Sequence, residues 1–429
     1  MNSLSNAELI WYRRDGEIRM AVRPVAPQSI DRGMTVARFS HLDLAVPILR
    51  RRPAGVLYHA PTSLSSAFGT ARIEGDVFAI LAGSGRDGFA GARLNFRDVI
   101  EEGRKQGALV YVVSTDDVTT DRIWQGYVRL GYKQWIRLPM PRPQAMYNRI
   151  PTRALERNGS SLRARDLVRR LSIPMFNPSY FSKAAMYGIV SRHGLSANVP
   201  ETLTSLERDS LLRMCERYEG VYLKPSGGSV GHGMIRVDKR AGGGSEHPEY
   251  TIAVLKHGKT ERFAAHSGAE LWQIVSRQRV LGKYVVQQAI PLVLYRGQPC
   301  DFRVLLQKVR DEWTLVGVGV RVSGKGRITT HVPNGGTIAN ADTVLSEAFG
   351  NDAPRVLADL ESFVIRAAEA LDAEFGKQLG EMSMDIGIDP NGKPWFFEAN
   401  AKPMKFDEPD IRARSLRGII DQLRYRAGR

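Results

Sequence analysis

Residues 221–237, VYLKPSGGSVGHGMIRV, put a lysine at the end of an apolar strand and follow it with a glycine-rich turn. Val221, Tyr222 and Leu223 read as a short buried strand closed by Lys224-Pro225, and Met234, Ile235 and Val237 resume one. Between them Gly227, Gly228, Gly231 and Gly233 remove the Cβ atoms that would keep successive amide N–H groups from converging on an anion. The chemistry suggested is a grip on phosphate, with Lys224 as the point charge. A hairpin whose turn merely reverses the chain is the alternative, and this stretch alone leaves both open. It is neither a Walker A loop nor a dinucleotide-binding glycine fingerprint.

The second chemical feature is SMDIGIDPNGKPWFFEANAKP near the C-terminus. Two apolar-alternating strands, 384–388 and 394–399, are joined by Asp389-Pro390-Asn391-Gly392, a strong hairpin turn. Asp385 lies on the first strand, while Glu398 and Asn400, two residues apart, share a face of the second. Three oxygen ligands on adjacent strands suit Mg²⁺, which takes few protein carboxylates and completes its shell with phosphate and water. A solvated hairpin face would carry the same residues.

Lysine, glycine loop and late carboxylate hairpin, in that order, resemble the ATP-grasp superfamily. Further islands resemble its YheC/YheD (spore-coat-associated) branch: PMPRPQAMYNRI, NPSYFSKAAMYGIV, the PET at 200–202, DFRVLLQK and EANAKP. They span residues 73–425. The resemblance implies an α/β (α+β) ATP-grasp fold, ATP and Mg²⁺ as cofactors, and ligation of a carboxylate to an amine through an acyl-phosphate. It places Lys183, Lys224, Gly227, Gly228, Ser229, Gly231 and Gly233 on the nucleotide phosphates, with the loop as a lid. Gln287, Gln288 and Ile290, in YVVQQAI, fall where adenine is held, and Asp385, Glu398 and Asn400 on the metal. Arg303 in D-F-R, just after a strand boundary, can fork onto a transferring phosphoryl group or pair with Asp301. Arg321 and HVPNGG occupy the region where relatives show N-x-x-R-G-G; His331 and Asn334 depart from that pattern, which bears on acceptor binding. A coat or scaffold protein that keeps the fold without catalysis, and a kinase, remain open as other classes.

The elements needed to position these residues can be read in outline. Residues 1–72 alternate short apolar runs with turn signals, a small β-rich module. Residues 73–150 carry a β-α-β pattern: a strand at 77–81, a Gly83-Ser84-Gly85 loop, a helix at 92–106 and a strand at 108–113, resembling a pre-ATP-grasp domain. The ATP-grasp domain is expected over 151–429, with helices at 206–218, around 271–275 and at 357–371. A terminal amphipathic helix, apolar at Ile411, Leu416, Ile419, Ile420 and Leu423, is expected to pack on its own domain.

With 429 residues and 43% apolar content, the chain has enough material for two or three domains with cores. No basic-then-apolar leader and no membrane-length apolar run is visible, and Cys215 and Cys300 are too few for a disulfide scaffold or a zinc site. A cytoplasmic protein is expected, with spore association implied by the resemblance. Lys plus Arg exceed Asp plus Glu by 61 − 45 = 16, so the surface should attract anions: ATP, and an anionic carboxylate substrate such as an amino acid, peptide or acidic polymer, with an amine acceptor. Arginine-rich segments at 153–170 and 411–429 lack interleaved aromatics, which argues against nucleic acid.

Overall fold

The computed structural model describes every residue except 1–3, 27–29, 32, 68, 132–133, 226–231, 241–246, 248 and 331–334, and except the side chains of residues 183 and 184. Four sheets organise the chain. The first has the order Glu17–Pro24, Ser5–Arg14, Val56–Ala67, Thr70–Ile73, Val36–Phe39, Ala45–Pro47. Its two end strands meet: Val22 bridges Ile48 in parallel and Leu49 N–H donates to Val22 C=O at 2.8 Å. This bridge joins the two ends of the sheet at one point.

The second sheet runs Gln134–Pro141, Ile123–Leu130, Leu109–Ser114, Val77–Gly85, Ala145–Asn148, Met175–Phe176, and its last four strands are parallel. Helix Arg93–Lys105 makes the crossover between Val77–Gly85 and Leu109–Ser114. Covered on both faces, these two strands are unbroken apolar runs. Gly83-Ser84-Gly85, expected as a loop, instead extends the strand and pairs back on Gly88–Ala90. The reversal is made possible by Gly88 at φ +93°, where a Cβ would also strike the Tyr127 ring at 2.7 Å. Leu9, Trp11 and Tyr58 of the first sheet share one core with Tyr111, Trp124 and Met140 of the second, and Trp11 Nε1 donates to Pro139 C=O at 2.6 Å.

The third sheet is antiparallel, in the order Thr202–Leu203, Tyr284–Gln288, Gly220–Pro225, Ile235–Lys239, Tyr250–Lys256, Lys259–Ala265. Helices Arg208–Arg217 and Gly268–Gln278 bury Leu211, Met214, Leu271 and Val275 against one face of it. The fourth runs Thr337–Asn340, Glu312–Val322, Gln298–Val309, Glu381–Ile388, Pro394–Asn400. One face packs on helix Ala353–Glu374 through Val356, Leu360, Val364 and Leu371. Both sheets thus keep one apolar face for helices and turn the other elsewhere.

The terminal helix Pro409–Arg426 corrects an expectation. It packs not on the fourth sheet alone but also on helix Arg93–Lys105, sharing a core in which Ile419, Ile420 and Leu423 meet Phe78, Phe96 and Val99. Its arginines are engaged there as well: Arg412 pairs with Asp98 at 2.9 Å and Arg424 with Asp76 at 2.7 Å. Partners so distant in sequence leave no local signal.

Candidate functional site

Lys224 sits near the end of strand Gly220–Pro225, on the face away from the helices, because alternation sends Val221 and Leu223 into the core and Tyr222 and Lys224 the other way. Its Nζ donates to Gln287 Oε1 across the neighbouring strand and lies 5.6 Å from the centre of the Tyr222 ring. The two strands on either side of the glycine loop pair directly, with Leu223 opposite Ile235. Gly227, Gly228, Ser229 and Gly231 lie outside the described residues. Gly233 is described: at φ +76°, a Cβ there would meet Val280 at 2.7 Å, and its carbonyl accepts from Tyr284 OH at 2.7 Å. The loop's exit is therefore fixed by backbone that only glycine fits.

The oxygen-ligand hairpin forms as the alternation requires, closed by Asp389, whose Oδ1 accepts from the amides of Asn391 and Lys393. Asp385 stands directly opposite Glu398, and Asn400 opposite Ser383. On the other side Asp385 is opposite Arg303, while Arg321 is opposite Asp301. Cross-strand partners and i, i+2 neighbours share a face, so Asp301, Arg303, Arg321, Asp385, Glu398 and Asn400 form one polar surface of the fourth sheet. Met384, Ile386, Phe396 and Ala399 occupy the opposite, helix-covered face.

Arg303 lies inside strand Gln298–Val309 rather than just past a boundary. It does not pair with Asp301. Its Nη2 donates to Met404 C=O at 3.0 Å and its guanidinium stacks 4.4 Å from the centre of the Phe406 ring. Burial pulls the Arg303 guanidinium below its ordinary range, and the nearby Asp385 carboxylate opposes that shift without cancelling it. Asp301 belongs to Arg321, which holds it with two hydrogen bonds of 2.9 and 2.6 Å and reaches Asp385 at 2.9 Å. Burial raises the Asp301 carboxyl above the ordinary carboxylate range even though Arg321 pulls it down. For Arg321, burial is outweighed by Asp301 and Asp385, which raise the guanidinium.

The lysine face and the carboxylate face adjoin. Lys224 Nζ lies 5.9 Å from the centre of the Phe397 ring, and Phe397 is the neighbour of Glu398. Tyr187, on helix Lys183–Val190, bonds across the same seam: its hydroxyl donates to Phe397 C=O at 2.8 Å, and burial pushes its pKa up to about 12. Lys183 is the first residue of that helix. Gln287 lies on the lysine face, buried, with its amide committed to Lys224 and, at 2.9 Å, to Thr202. Gln288 points to the other face, where its Oε1 accepts from Glu201 N–H, and Ile290 is buried just beyond the strand. The structure thus unites Lys224, Gln287, Arg303, Asp385, Glu398 and Asn400 around one seam and turns Gln288 away from it. Sequence reasoning offered Asp301 as a partner of Arg303 and put Arg321 in the acceptor region, not pairing them with each other, and did not single out Tyr187 or Phe397. Only the alternation of Arg321 within an apolar strand could have hinted at the Asp301–Arg321 pairing. His331 and Asn334 lie outside the described residues.

Among the described residues no three His, Cys, Asp or Glu side chains cluster as a metal site. Two carboxylates and an amide on one face are instead the hard oxygen set that fits a Mg²⁺ shared with phosphate. Among the described residues no helix is long and apolar enough to cross a membrane.

Two sheets that set a strand-end lysine against a carboxylate hairpin have the ATP-grasp arrangement anticipated from the sequence. Residues 172–425 match the family described as YheC/D like ATP-grasp, and the chain belongs to that family. Over 288 residues, 65% of this chain and 61% of the relative, it is 30% identical to the endospore coat-associated protein YheD of Bacillus subtilis (strain 168). It is 23% identical to the endospore coat-associated protein YheC of the same organism over 211 residues, 48% of this chain and 54% of the relative. The chain thus spans less than two thirds of the length of either relative. Among solved structures, the macrocyclase MdnC bound with precursor peptide MdnA from Microcystis aeruginosa MRC is similar with a TM-score of 0.45 at 15% identity, covering 81% of this chain and 99% of that one.

Proposed function

We propose that this protein is an ATP- and Mg²⁺-dependent ligase joining a carboxylate to an amine. The observation that carries this reading is the approach of Lys224 to Phe397, beside Glu398, which brings a lysine ammonium and the carboxylate face of the fourth sheet to one seam. Lys224 and Lys183 hold phosphates, the loop through Gly233 covers them, and the backbone near Gln287 and Ile290 holds adenine. Asp385, Glu398 and Asn400 would hold Mg²⁺, which would supply positive charge to the transferring phosphoryl group. Arg303, stacked on Phe406, faces the transferring group.

A substrate carboxylate oxygen attacks the γ-phosphorus as the bond to the bridging oxygen breaks, giving an acyl-phosphate and ADP. The amine then attacks the acyl carbon, phosphate leaves with the bonding pair, and one amine proton passes to solvent. Positioning and charge neutralisation carry such a reaction, so no protein nucleophile is needed. The carboxylate would come from an amino acid, a peptide or an acidic polymer, consistent with the basic surface. In this reading residues 1–72 are a β-rich module, 73–150 a pre-ATP-grasp domain and 151–429 the catalytic domain of a cytoplasmic protein, with spore association supported by the names of its relatives.

Incubation with ATP, Mg²⁺ and amino acids or peptides, following ADP and products by mass spectrometry, tests the reading. ADP coupled to a condensed product supports the ligase. A phosphorylated product would make it a kinase, and no turnover would favour a scaffold.

A further inference from the structure

Just beyond the proposed metal ligands, the chain enters a buried polar network. Asn177 is fully buried and touches both ligand strands. Its Nδ2 donates to Ala401 C=O at 2.5 Å and to Glu381 C=O at 3.1 Å, and its Oδ1 accepts from Gly380 N–H at 2.8 Å. Ala401 follows Asn400, and Glu381 opens the strand that carries Asp385. Lys402, the next residue, pairs with Glu156 and donates to Ile150 C=O at 3.2 Å; both side chains are almost wholly buried. Arg149 meets Glu381 at 3.5 Å and donates to Pro403 C=O at 3.0 Å. The partners Arg149, Ile150 and Glu156 follow strand Ala145–Asn148 of the second sheet, whereas the groups they grip end the two ligand strands of the fourth.

Burying this many charged and amide groups costs more than apolar packing would, so simple docking of one sheet on another does not require it. Directional bonds do what apolar contacts do not: they fix the register of the strands they hold. Here every such bond converges on segments 380–381 and 401–403. Resting on the assignment of Asp385, Glu398 and Asn400 to Mg²⁺, we propose that Asn177 and the Glu156–Lys402 pair are positioning residues that hold the two ligand strands in the register that binds metal. The second sheet thereby controls metal affinity from outside the ligand set.

The test is calorimetric titration of a non-hydrolysable ATP analogue into the full chain, with and without Mg²⁺. One variant is the double substitution Glu156→Gln/Lys402→Met, which removes both charges together. The other is Asn177→Gly, which suits the backbone φ of +57° and deletes the amide. The expected result is a Mg²⁺ requirement raised by about tenfold or more in each, the range for losing a residue that orients metal ligands, with metal-free analogue affinity unchanged. If the double variant does not fold, Asn177→Gly carries the test alone. Wild-type Mg²⁺ dependence in a folded variant overturns the inference and leaves the ligase reading intact. A wild-type protein whose analogue binding ignores Mg²⁺ would overturn the metal assignment and this inference with it.

Discussion

Arg321 Nη2 lies 2.9 Å from the Asp385 carboxylate while the same guanidinium holds Asp301 through two hydrogen bonds. The chain Asp301–Arg321–Asp385 spans three neighbouring strands of the fourth sheet, with Arg321 on the side of Asp385 away from Glu398. Arg321→Met should therefore leave Asp301 buried without its partner and destabilise the protein by about 3–5 kcal/mol, whereas Asp301→Asn/Arg321→Met together should cost clearly less. Denaturant unfolding measures both. A double-variant loss equal to the sum of the losses in Arg321→Met and Asp301→Asn alone would show that the pair is not coupled.

Glu398→Gln should abolish ATP turnover and leave the fold and most nucleotide affinity in place. The substitution keeps the shape of a side chain directly opposite Asp385 but removes the charge that would hold Mg²⁺ at the γ-phosphate. ADP production at the wild-type rate in this variant would refute the metal assignment.

Lys224→Ala should weaken ATP binding by about 1–3 kcal/mol, the range for a charge-assisted contact. Because Gln287 Oε1 accepts from Lys224, Gln287→Leu should also weaken binding, by releasing the lysine from its orientation. Calorimetry showing wild-type affinity for Lys224→Ala would remove the lysine from the site.

What the sequence revealed was what local pattern encodes. Alternation exposed the strand of Lys224 and the hairpin of Asp385, Glu398 and Asn400, and the turn chemistry of Asp389 marked the reversal between its strands. The Arg321–Asp301 pair is cross-strand, and Arg303 meets Asp385 across 82 residues of chain, so neither leaves a periodic trace. Glu156 and Lys402 lie 246 residues apart. The two ends of the first sheet meet at one bridge between Val22 and Ile48, and the terminal helix is divided between two sheets by arginines whose carboxylate partners lie hundreds of residues upstream. Gln287 and Gln288 read as a pair in the sequence, yet strand alternation separates them onto opposite faces.

The two cysteines make a separate test of the cores. Cys215 packs among the side chains behind the third sheet and Cys300 among those behind the fourth, and burial pushes each thiol up to about 12. Thiols held neutral and covered are poor nucleophiles. A thiol reagent at neutral pH should label neither in the native protein and both after unfolding. Rapid labelling of either in the native state would mean that its lobe opens.

The surplus of sixteen positive charges predicts how the acceptor is met. If the natural substrate is an acidic peptide or polymer, long-range attraction steers the encounter, and apparent affinity should fall as salt shortens the Debye length from ~10 Å at 0.1 M to ~3 Å at 1 M. If ATP binds in the proposed site, its contacts should be short and it should respond less. Part of the arginine surplus is already committed, since Arg412 and Arg424 pair with Asp98 and Asp76, so the steering must come from the remainder. Competition separates the anionic partners. Poly-acidic peptides should displace the acceptor or be consumed, while duplex DNA should not inhibit turnover at ~0.15 M salt. Strong inhibition by DNA at that salt would point to a nucleic-acid partner, and indifference to both polymers would leave a small-molecule acceptor.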